Sequence, residues 1–290
     1  MEIQKVVKAY DLKTAIAALD EHKENAQVLA GGTDLLVQIR EGHNKCPVLV
    51  DVTDVAEMKE IIVEDHQVRI GAAVTFSQVV KHDFMKTNLL GLWEACRSVG
   101  APQIRNLGTL GGNVANGSPA ADSSPPLLAL EATLVIQSSA GQKVMELKDF
   151  FLGKGKTALQ PGELISEIIL PKSGLKKTQI AFEKLGLRNA LAISRISVAV
   201  CVEVDDQNTI THAAVASGSL GLFPNREPQV EAALVGKSLN MDLVDQAAQA
   251  FSAVTTQRLQ GRSSQAFKEE AIKGVMTGCL LKLMNEGGQA

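Results

Sequence analysis

The stretch QIRNLGTLGGNVANGSPAAD, residues 103–122, decides how the rest of the chain is interpreted. Its glycine and asparagine content is typical of a linker, yet aliphatic side chains recur through it, namely Ile104, Leu107, Leu110 and Val114. Glycine and asparagine tolerate left-handed turns, and glycine also lets the backbone approach a ligand closely. We therefore expect an ordered loop that its aliphatic side chains anchor in the core.

The composition is that of an ordinary globular protein and argues against several function classes. The 290 residues are 45% hydrophobic and 21% charged, with a formal net charge of −3, and this length suits two or three domains. No basic run indicates nucleic acid or a membrane surface as a partner. The N-terminus lacks the pattern of a signal peptide, and no apolar run approaches the ~20 residues that span a bilayer. We expect a cytoplasmic protein.

The cysteine and histidine residues are scattered and predict no metal site. Cys46, Cys96, Cys201 and Cys279 form no CxxC motif, so we interpret them as reduced thiols, most of them packed in the core. The same spacing argues against an iron–sulfur cluster held by this chain alone. The histidines include no pair at metal-ligand spacing, and no Ser/His/Asp or paired-carboxylate arrangement predicts a catalytic residue.

Periodicity divides the chain into three predicted regions, of which residues 1–57 and 58–175 come first. In the first region, Asp11 caps a helix, AQVLA and CPVLVDV predict strands, and DLLVQIREG between them predicts a short helix ended by Gly42, which makes a β-α-β unit. The second region begins with the hairpin EIIVEDHQVRIGA and continues with helical sequence. After the stretch quoted above, ATLVIQSS, KVMELKDFF and ELISEIIL predict strands of one sheet.

The third predicted region is residues 176–290, and the polar connector at residues 171–177 marks its boundary. ISVAVCVEV and THAAVASGSL flank a DDQN turn and predict neighbouring strands. Two helices, MDLVDQAAQAFSAV and SQAFKEEAIKGVMTGCLLKLMN, end the chain. A β-meander covered by helices fits this region.

The first candidate binding loop is LAGGTDLL, residues 29–36. Because Gly31 and Gly32 carry no Cβ atom, neighbouring N–H groups can converge on an anion such as a phosphate. Thr33 adds a hydroxyl group, and the Asp34 carboxylate can accept hydrogen bonds from a ribose or a polyol. The alternative is a strand-to-helix turn in which Asp34 only caps the helix.

The second candidate is GTLGGN, residues 108–113. It lacks the spacing of a Rossmann fingerprint, and it precedes no clean helix in a β-α-β unit. Taken alone it is equally an ordered loop of left-handed turns. Neither loop contains a basic residue, although Arg105 lies just upstream of the second. Two such loops, each after a different apolar element, would clamp a pyrophosphate from both sides, and together they are better evidence than either one.

Four motifs in order, VLAGGTDLL, PQIRNLGTLGGNVANGSPAAD, ELISEIILP and AFEKLGLRNALAIS, resemble the FAD-binding medium subunits of the molybdenum hydroxylases. Bacterial xanthine, carbon monoxide and nicotinate dehydrogenases contain such subunits, and the resemblance covers essentially the whole chain. It implies an α+β protein. Two α/β subdomains of the vanillyl-alcohol-oxidase-type (PCMH-type) FAD-binding fold, residues 1–57 and 58–175, would precede a C-terminal β-meander/helix domain, residues 176–290.

The resemblance also implies which residues bind FAD. Residues 28–35 would line the pyrophosphate and adenosine side, residues 109–113 would form the second phosphate loop, and three single residues would contact or approach the cofactor. The implied cofactor-binding residues are Val28, Leu29, Ala30, Gly31, Gly32, Thr33, Asp34, Leu35, Thr109, Leu110, Gly111, Gly112, Asn113, Asp122, Ile165 and Lys184. Without the resemblance, Lys184 is more simply a solvated strand lysine, and Asp122 is equally a turn cap.

The implied function is electron transfer within a multisubunit complex. A large subunit with the molybdenum cofactor would hydroxylate the substrate, and a small subunit would carry 2Fe-2S clusters. Electrons would end on the FAD of this chain, which would pass them to NAD or another acceptor. Xanthine is the expected substrate because two motifs look closest to those of xanthine dehydrogenase subunits. Two alternatives are a self-sufficient flavin oxidase or reductase of the same fold and a cofactor-free assembly module.

Overall fold

The structure, a computed structural model, describes residues 3–172 and 178–287. Residues 173–177 of the expected connector lie outside the described residues. Three larger sheets follow one another along the described chain, and each falls within one of the three predicted regions. The boundaries of those regions, after residues 57 and 175, stay predictions.

The first sheet is a small parallel sheet. Its strands are β1 (Lys5–Lys8), β2 (Ala26–Leu29) and β3 (Val48–Asp51), in the order β1-β3-β2. Helix α1 (Leu12–His22) connects β1 to β2, and α2 (Leu35–Arg40) connects β2 to β3. The Asp11 side chain accepts a hydrogen bond from the N–H of Thr14 and so caps α1. The predicted β-α-β unit is confirmed.

The second sheet is antiparallel throughout. The strands of this part of the chain are β4 (Ile61–Val63), β5 (Gln67–Gly71), β6 (Thr133–Ser138), β7 (Gly141–Glu146), β8 (Phe151–Gly153), β9 (Lys156–Thr157) and β10 (Leu164–Pro171). The sheet has the order β4-β5-β10-β6-β7, which confirms the hairpin and its partners. The prediction that KVMELKDFF is one strand is wrong beyond Glu146. The chain turns there to bury Leu147 and Phe150, and β8 pairs with β9 instead.

Short helices connect β5 to β6. They are α3 (Phe76–Lys81), α4 (Asp83–Asn88), α5 (Leu90–Ser98), α6 (Pro102–Leu107), α7 (Leu110–Ala115) and α8 (Ser124–Ala129). A capping box formed by Thr75 and Gln78 starts α3. Helix α6 begins just before the stretch 103–122 and α7 lies inside it, whereas the sequence predicted an ordered loop there, so that prediction is wrong.

The C-terminal region is an antiparallel meander with helices on one side. Its strands are β11 (Thr178–Leu185), β12 (Ile196–Val204), β13 (Ile210–Gly218) and β14 (Asn225–Arg226), which pair in chain order. Its helices are α9 (Pro228–Leu234), α10 (Met241–Arg258) and α11 (Gln265–Gly287). The N–H of Asp205 donates to Thr209 O at 3.0 Å in the predicted turn. The meander and its covering helices are confirmed.

Two hydrophobic cores meet at the C-terminal sheet. Alternate residues of a strand face opposite sides of its sheet, so Ala199 of β12 belongs to the core of the two N-terminal regions. Val198 and Val200 of the same strand belong to the core under α10 and α11. The C-terminal sheet therefore packs on the N-terminal regions with one face and on its own helices with the other.

The thiols are distributed as the sequence indicated. Cys96, Cys201 and Cys279 are buried, and Cys46 is partly exposed. Among the described residues, no group of three or more His, Cys, Asp or Glu side chains is arranged to hold a metal ion. Over the same residues, no helix is long and apolar enough to cross a membrane.

Candidate functional site

The first glycine segment, residues 28–35, runs from the end of β2 into α2. Gly32 has a φ of 67°, a left-handed conformation that favours glycine. The exposed Asp34 side chain does not cap α2, because its Oδ2 accepts a 3.3 Å hydrogen bond from Gln38 Nε2 instead. The helix-cap interpretation of Asp34 is therefore wrong, and its carboxylate lies open to solvent.

The backbone of the first glycine segment has unused donors. Among the described residues, no acceptor bonds to the peptide N–H groups of residues 31–34, although Gly32 O accepts a 3.1 Å bond from Leu36 N. These residues are only partly buried or exposed. Consecutive unpaired N–H groups with no Cβ on two of the residues are the arrangement that binds anionic oxygen atoms. The segment fits a phosphate group without a basic side chain.

The second glycine segment, residues 109–113, is the start of α7. Thr109 Oγ1 accepts a 3.1 Å bond from Gly112 N and caps the helix. Leu110 N donates to Val74 O at 2.9 Å, and Gly111 N donates to Ala72 O at 3.0 Å. Two adjacent glycines disfavour a helix in isolation. These bonds to a remote part of the chain hold the helix, which explains why the sequence pattern alone predicted a loop.

Of the two glycines in α7, Gly111 is needed for close packing and Gly112 is not. A Cβ at Gly111 would lie 2.5 Å from Ala72 Cβ, whereas a Cβ at Gly112 would meet only Thr109 Oγ1, at 2.7 Å. Gly117 has a φ of 61°, but Gly111 and Gly112 are helical, so the left-handed turns expected at these two positions are wrong. Gly111 faces the core, and Gly112 is exposed.

Most hydrogen-bond donors of the second glycine segment are bonded to acceptors within the protein. The N–H of Asn113 donates to Thr109 O at 3.0 Å, so all four N–H groups of residues 110–113 have acceptors. Asn113 Oδ1 accepts a 2.7 Å bond from Ser123 Oγ, and its side-chain amide N–H groups have no acceptor among the described residues. A ligand could reach this segment through that amide and the bare surface of Gly112.

The aliphatic side chains of the stretch divide into two pairs. Leu110 and Val114 are fully buried and anchor α7, as expected. Ile104 is 39% exposed and Leu107 is 57% exposed, so the expectation that they anchor the stretch is wrong. They lie on α6, which packs less deeply than α7.

The two glycine segments meet in space. A Cβ at Gly31 would lie 1.9 Å from Leu107 O and 2.9 Å from Gly108 N, so the backbones are in direct contact. Gln38 Nε2 of α2 also donates to Asn116 Oδ1 at 3.3 Å. Only glycine permits this approach at position 31. The unpaired N–H groups of residues 31–34 therefore lie beside the entry to α7.

Asp122 and Lys184 form a buried ion pair between the second region and the C-terminal sheet. Lys184 Nζ lies 2.5 Å from Asp122 Oδ2, and both side chains are almost completely shielded from solvent. Asp122 Oδ1 accepts a 2.6 Å bond from Ser194 Oγ. Ser98 Oγ donates to Asp122 Oδ2 at 3.3 Å. The readings of Lys184 as a solvated lysine and of Asp122 as a turn cap are both wrong.

The burial of Asp122 has an electrostatic consequence. Loss of solvation raises the pKa of the Asp122 carboxyl above its usual range, while the Lys184 ammonium and the hydroxyl groups of Ser194 and Ser98 act in the opposite direction. Ser98 and Ser194 were missed by the sequence interpretation. The signal for Ser194 was present, because it ends the AFEKLGLRNALAIS motif directly before a buried strand.

The remaining candidates have mainly structural surroundings. Arg105 donates to the carbonyls of Val99 and Gly100 at 3.0 and 2.9 Å, so its charge fixes the chain before α6. Ile165 is buried in β10, paired with Ile136 next to a bulge. Its packing on a cofactor stays a prediction. A cavity of about 340 Å³ on the second sheet contains none of the predicted cofactor residues, so the site is recognised by its donors rather than by cavity size.

Comparisons with known proteins agree with this geometry. The family described as "FAD binding domain in molybdopterin dehydrogenase" matches residues 1–173, and the "CO dehydrogenase flavoprotein C-terminal domain" matches residues 181–283. The nicotinate dehydrogenase FAD-subunit of Eubacterium barkeri is 34% identical over 96% of this chain and 95% of its own length. The xanthine dehydrogenase FAD-binding subunit of Escherichia coli O157:H7 is 31% identical over 92% of this chain and 91% of its own.

Solved structures show the same fold. Carbon monoxide dehydrogenase from Hydrogenophaga pseudoflava contains a chain that superposes with a TM-score of 0.87 at 27% identity, covering 96% of both chains. The α+β, PCMH-type fold is confirmed. The chain is a flavoprotein, and it belongs to the family of FAD-binding domains of molybdopterin dehydrogenases. The unpaired N–H groups of residues 31–34 fit the diphosphate of such a dinucleotide.

Proposed function

We propose that this chain is the FAD-carrying, electron-transferring subunit of a multisubunit molybdenum hydroxylase. It accepts electrons from the iron–sulfur clusters of a partner subunit and passes them to NAD or another acceptor. The observation that carries the proposal is the contact of Gly31 with Leu107 and Gly108, which places unpaired N–H groups beside the second glycine segment. In a family whose domain binds FAD, that junction is where a diphosphate finds donors.

Each segment has its own part in holding FAD. Residues 31–34 donate N–H groups to the diphosphate, and Asn113 adds its side-chain amide. Gly112 leaves room for the cofactor over α7. The bound flavin supplies the redox chemistry, whereas this chain binds it, orients it and limits its exposure to water. Lys184, held by Asp122, places a positive charge at the edge of the C-terminal sheet, where the flavin ring is expected.

Partner subunits are part of the proposal. The relatives are named as subunits of nicotinate and xanthine dehydrogenases and as the medium chain of carbon monoxide dehydrogenase. A molybdenum-binding large subunit and a 2Fe-2S small subunit would complete the complex. Leu187 and Ile193, in the loop from β11 to β12, are 81% and 80% exposed. Large apolar side chains displayed together on a loop favour coverage by another protein.

We further propose a xanthine dehydrogenase-like complex acting on a nitrogen heteroaromatic substrate. The names of the nicotinate and xanthine dehydrogenase relatives support that substrate class. Substrate selection would lie on the large subunit, since no acid, base or nucleophile arrangement was found in this sequence. A chain that worked alone as a flavin oxidase would be bleached by a substrate without partners, so the isolated FAD-loaded chain should stay yellow in the presence of xanthine.

The replacement Gly112→Val tests the FAD site. Gly112 is exposed, and its new Cβ would meet only Thr109 Oγ1, so we expect a Tm within about 3 °C of the wild type. The isopropyl group would occupy the space over α7, and the flavin content of the purified protein, measured by absorbance near 450 nm after denaturation, should fall by about tenfold or more.

Gly274→Val is the matched control, because Gly274 is also an exposed helical glycine with nothing within 4 Å of its new Cβ. It should retain flavin. A wild-type complex without flavin after reconstitution would contradict the proposed function. Full flavin retention by Gly112→Val would instead favour a cofactor-free assembly module or a different FAD position.

A further inference from the structure

Three basic residues of the C-terminal region, Lys268, Arg195 and Arg262, lie near one another. Lys268, in the first turn of α11, donates to Ser219 O. Ser219 Oγ in turn donates to Ser194 O at 2.9 Å, directly before Arg195 in the chain. Arg195 and Arg262 both lie close enough to Lys268 for their charges to lower the pKa of its ammonium, to which partial burial contributes most.

Their like charges are not neutralised by the protein. Within residues 3–172 and 178–287, no carboxylate forms an ion pair with Arg195, Arg262 or Lys268. By contrast, Arg258 of the same region pairs with Glu227 at 2.6 Å. Lys268 also lies near the positive end of a helix, which disfavours a cation. Burial and the two neighbouring guanidinium groups disfavour the charged form of Lys268, and a bound anion would offset that cost.

The cation cluster is connected to the predicted flavin side of the site. Lys184 contacts Asp122, Asp122 accepts from Ser194, and Ser194 O accepts from Ser219, whose carbonyl accepts from Lys268. This continuous series of hydrogen bonds fixes the cluster at a set position relative to the ion pair. Arg195 and Arg262 are exposed, while Lys268 is partly buried. The cluster thus combines one partly buried ammonium with two exposed guanidinium groups.

We propose that Arg195, Arg262 and Lys268 bind the phosphate groups of the soluble dinucleotide that takes electrons from the flavin. The inference rests on the proposed function and adds the acceptor site and its ligand class. Guanidinium groups bind phosphate oxygens in a bidentate manner, and a partly desolvated ammonium attracts an anion more strongly than an exposed one does. The diphosphate of a dinucleotide carries two negative charges and so matches a cluster of three cations. A neutral quinone would gain nothing from them.

The test uses the assembled, FAD-loaded complex with xanthine as electron donor and either NAD⁺ or menadione as acceptor. Arg195→Gln and Arg262→Gln should each raise KM for NAD⁺ by about tenfold, the loss of one charge-assisted contact. The ratio of kcat/KM for NAD⁺ to kcat/KM for menadione should fall by the same factor. Inorganic pyrophosphate should compete with NAD⁺ in the wild type and compete about tenfold less well in each variant.

Two further variants serve as controls for this experiment. Lys13→Gln removes an exposed charge from α1, far from the cluster, and should keep the wild-type ratio. Arg195→Lys, which keeps the charge but not the bidentate geometry, should restore only part of the loss. An unchanged KM for NAD⁺ in both glutamine variants overturns the proposal.

Two other results would also overturn it, and both leave the proposed function intact. One is loss of flavin from Arg195→Gln and Arg262→Gln, which would assign the cations to holding FAD. The other is a wild-type complex that carries FAD and reduces menadione but is insensitive to pyrophosphate and does not use NAD⁺. Absence of flavin from the wild-type complex is the distinct failure of the proposed function itself.

Discussion

The two glycine segments use the same residue type for opposite purposes. In the first, the N–H groups of residues 31–34 have no acceptor among the described residues. In the second, the four N–H groups of residues 110–113 are all bonded within the protein, and Gly111 packs against Ala72. The first segment therefore leaves its donors unbonded, whereas the second is held by acceptors of the chain itself.

This difference assigns separate roles to two motifs that look alike in sequence. Glycine in the first segment exposes donors and allows the backbone contact with Leu107 and Gly108. Glycine in the second removes side chains so that a helix can approach β5 and the chain after it. A glycine-rich motif therefore predicts close approach, but it does not specify whether a ligand or the protein itself makes that approach.

The largest expected effect comes from breaking the contact between the segments. In Gly31→Ala, the new Cβ would lie 1.9 Å from Leu107 O, a backbone atom that cannot move without separating the segments. We expect the free energy of unfolding to fall by about 4 kcal/mol or more, as measured by urea denaturation.

Gly32→Ala is the neighbouring control for that experiment. Its Cβ would approach only side-chain atoms of Leu36 and Leu29, and the φ of 67° would cost roughly 1–2 kcal/mol. Equal losses for the two variants would show that the segments are not in contact.

A smaller effect is expected where the stretch ends, at the Asp122–Lys184 pair. Lys184→Met leaves the buried Asp122 carboxylate without its cation, which should lower the free energy of unfolding by about 3 kcal/mol at pH 7. A carboxyl whose folded pKa is raised favours folding below its unfolded pKa and loses that contribution as the pH rises through the folded value. The deficit of the variant should therefore be full at pH 7 and smallest near pH 4 or below.

The double variant Lys184→Met/Asp122→Asn should recover more than half of that loss, because no buried charge remains. Urea denaturation between pH 4 and 8 measures both effects. A deficit that does not change with pH would mean that the Asp122 charge is not the cause.

The smallest effects on stability are expected for Thr109 of the second glycine segment and Thr33 of the first. Thr109→Ala removes the cap of α7 and should cost about 1 kcal/mol of stability. The Thr33 hydroxyl has no hydrogen-bond partner among the described residues, so Thr33→Ala should change stability by less than about 0.5 kcal/mol. Flavin titration should show the reverse order, with the greater loss of affinity for Thr33→Ala. Loss of stability without loss of affinity in Thr33→Ala would remove the contrast between the segments.

Sequence patterns predicted the secondary structure of the first region correctly because its signals are local. Asp11 lies directly before the helix that it caps, and the short apolar run of β2 ends at the glycines. Helix α7 was missed because its stability depends on Val74 O and Ala72 O, acceptors that no nearby residue reveals.

Local sequence patterns were equally insufficient for the contact between the second region and the C-terminal sheet. Asp122 and Lys184 were both identified through the family resemblance, but their mutual bond spans 62 residues and has no local pattern. Ser98 and Ser194, which complete the surroundings of the carboxylate, were missed since single serines occur throughout the chain. The Asp34 cap was expected from residue type alone, and its side chain bonds to Gln38 instead.

The surroundings of Asp122 also set an order of events during synthesis. Its cation is supplied 62 residues later, and one of its hydroxyl partners comes 72 residues later. A nascent chain that has only just emerged beyond Asp122 would hold a carboxylate that cannot yet be buried at acceptable cost. The Asp122 carboxylate consequently stays hydrated until the first strand of the meander and Ser194 have been synthesised, so the contact between the second region and the C-terminal sheet forms late in translation.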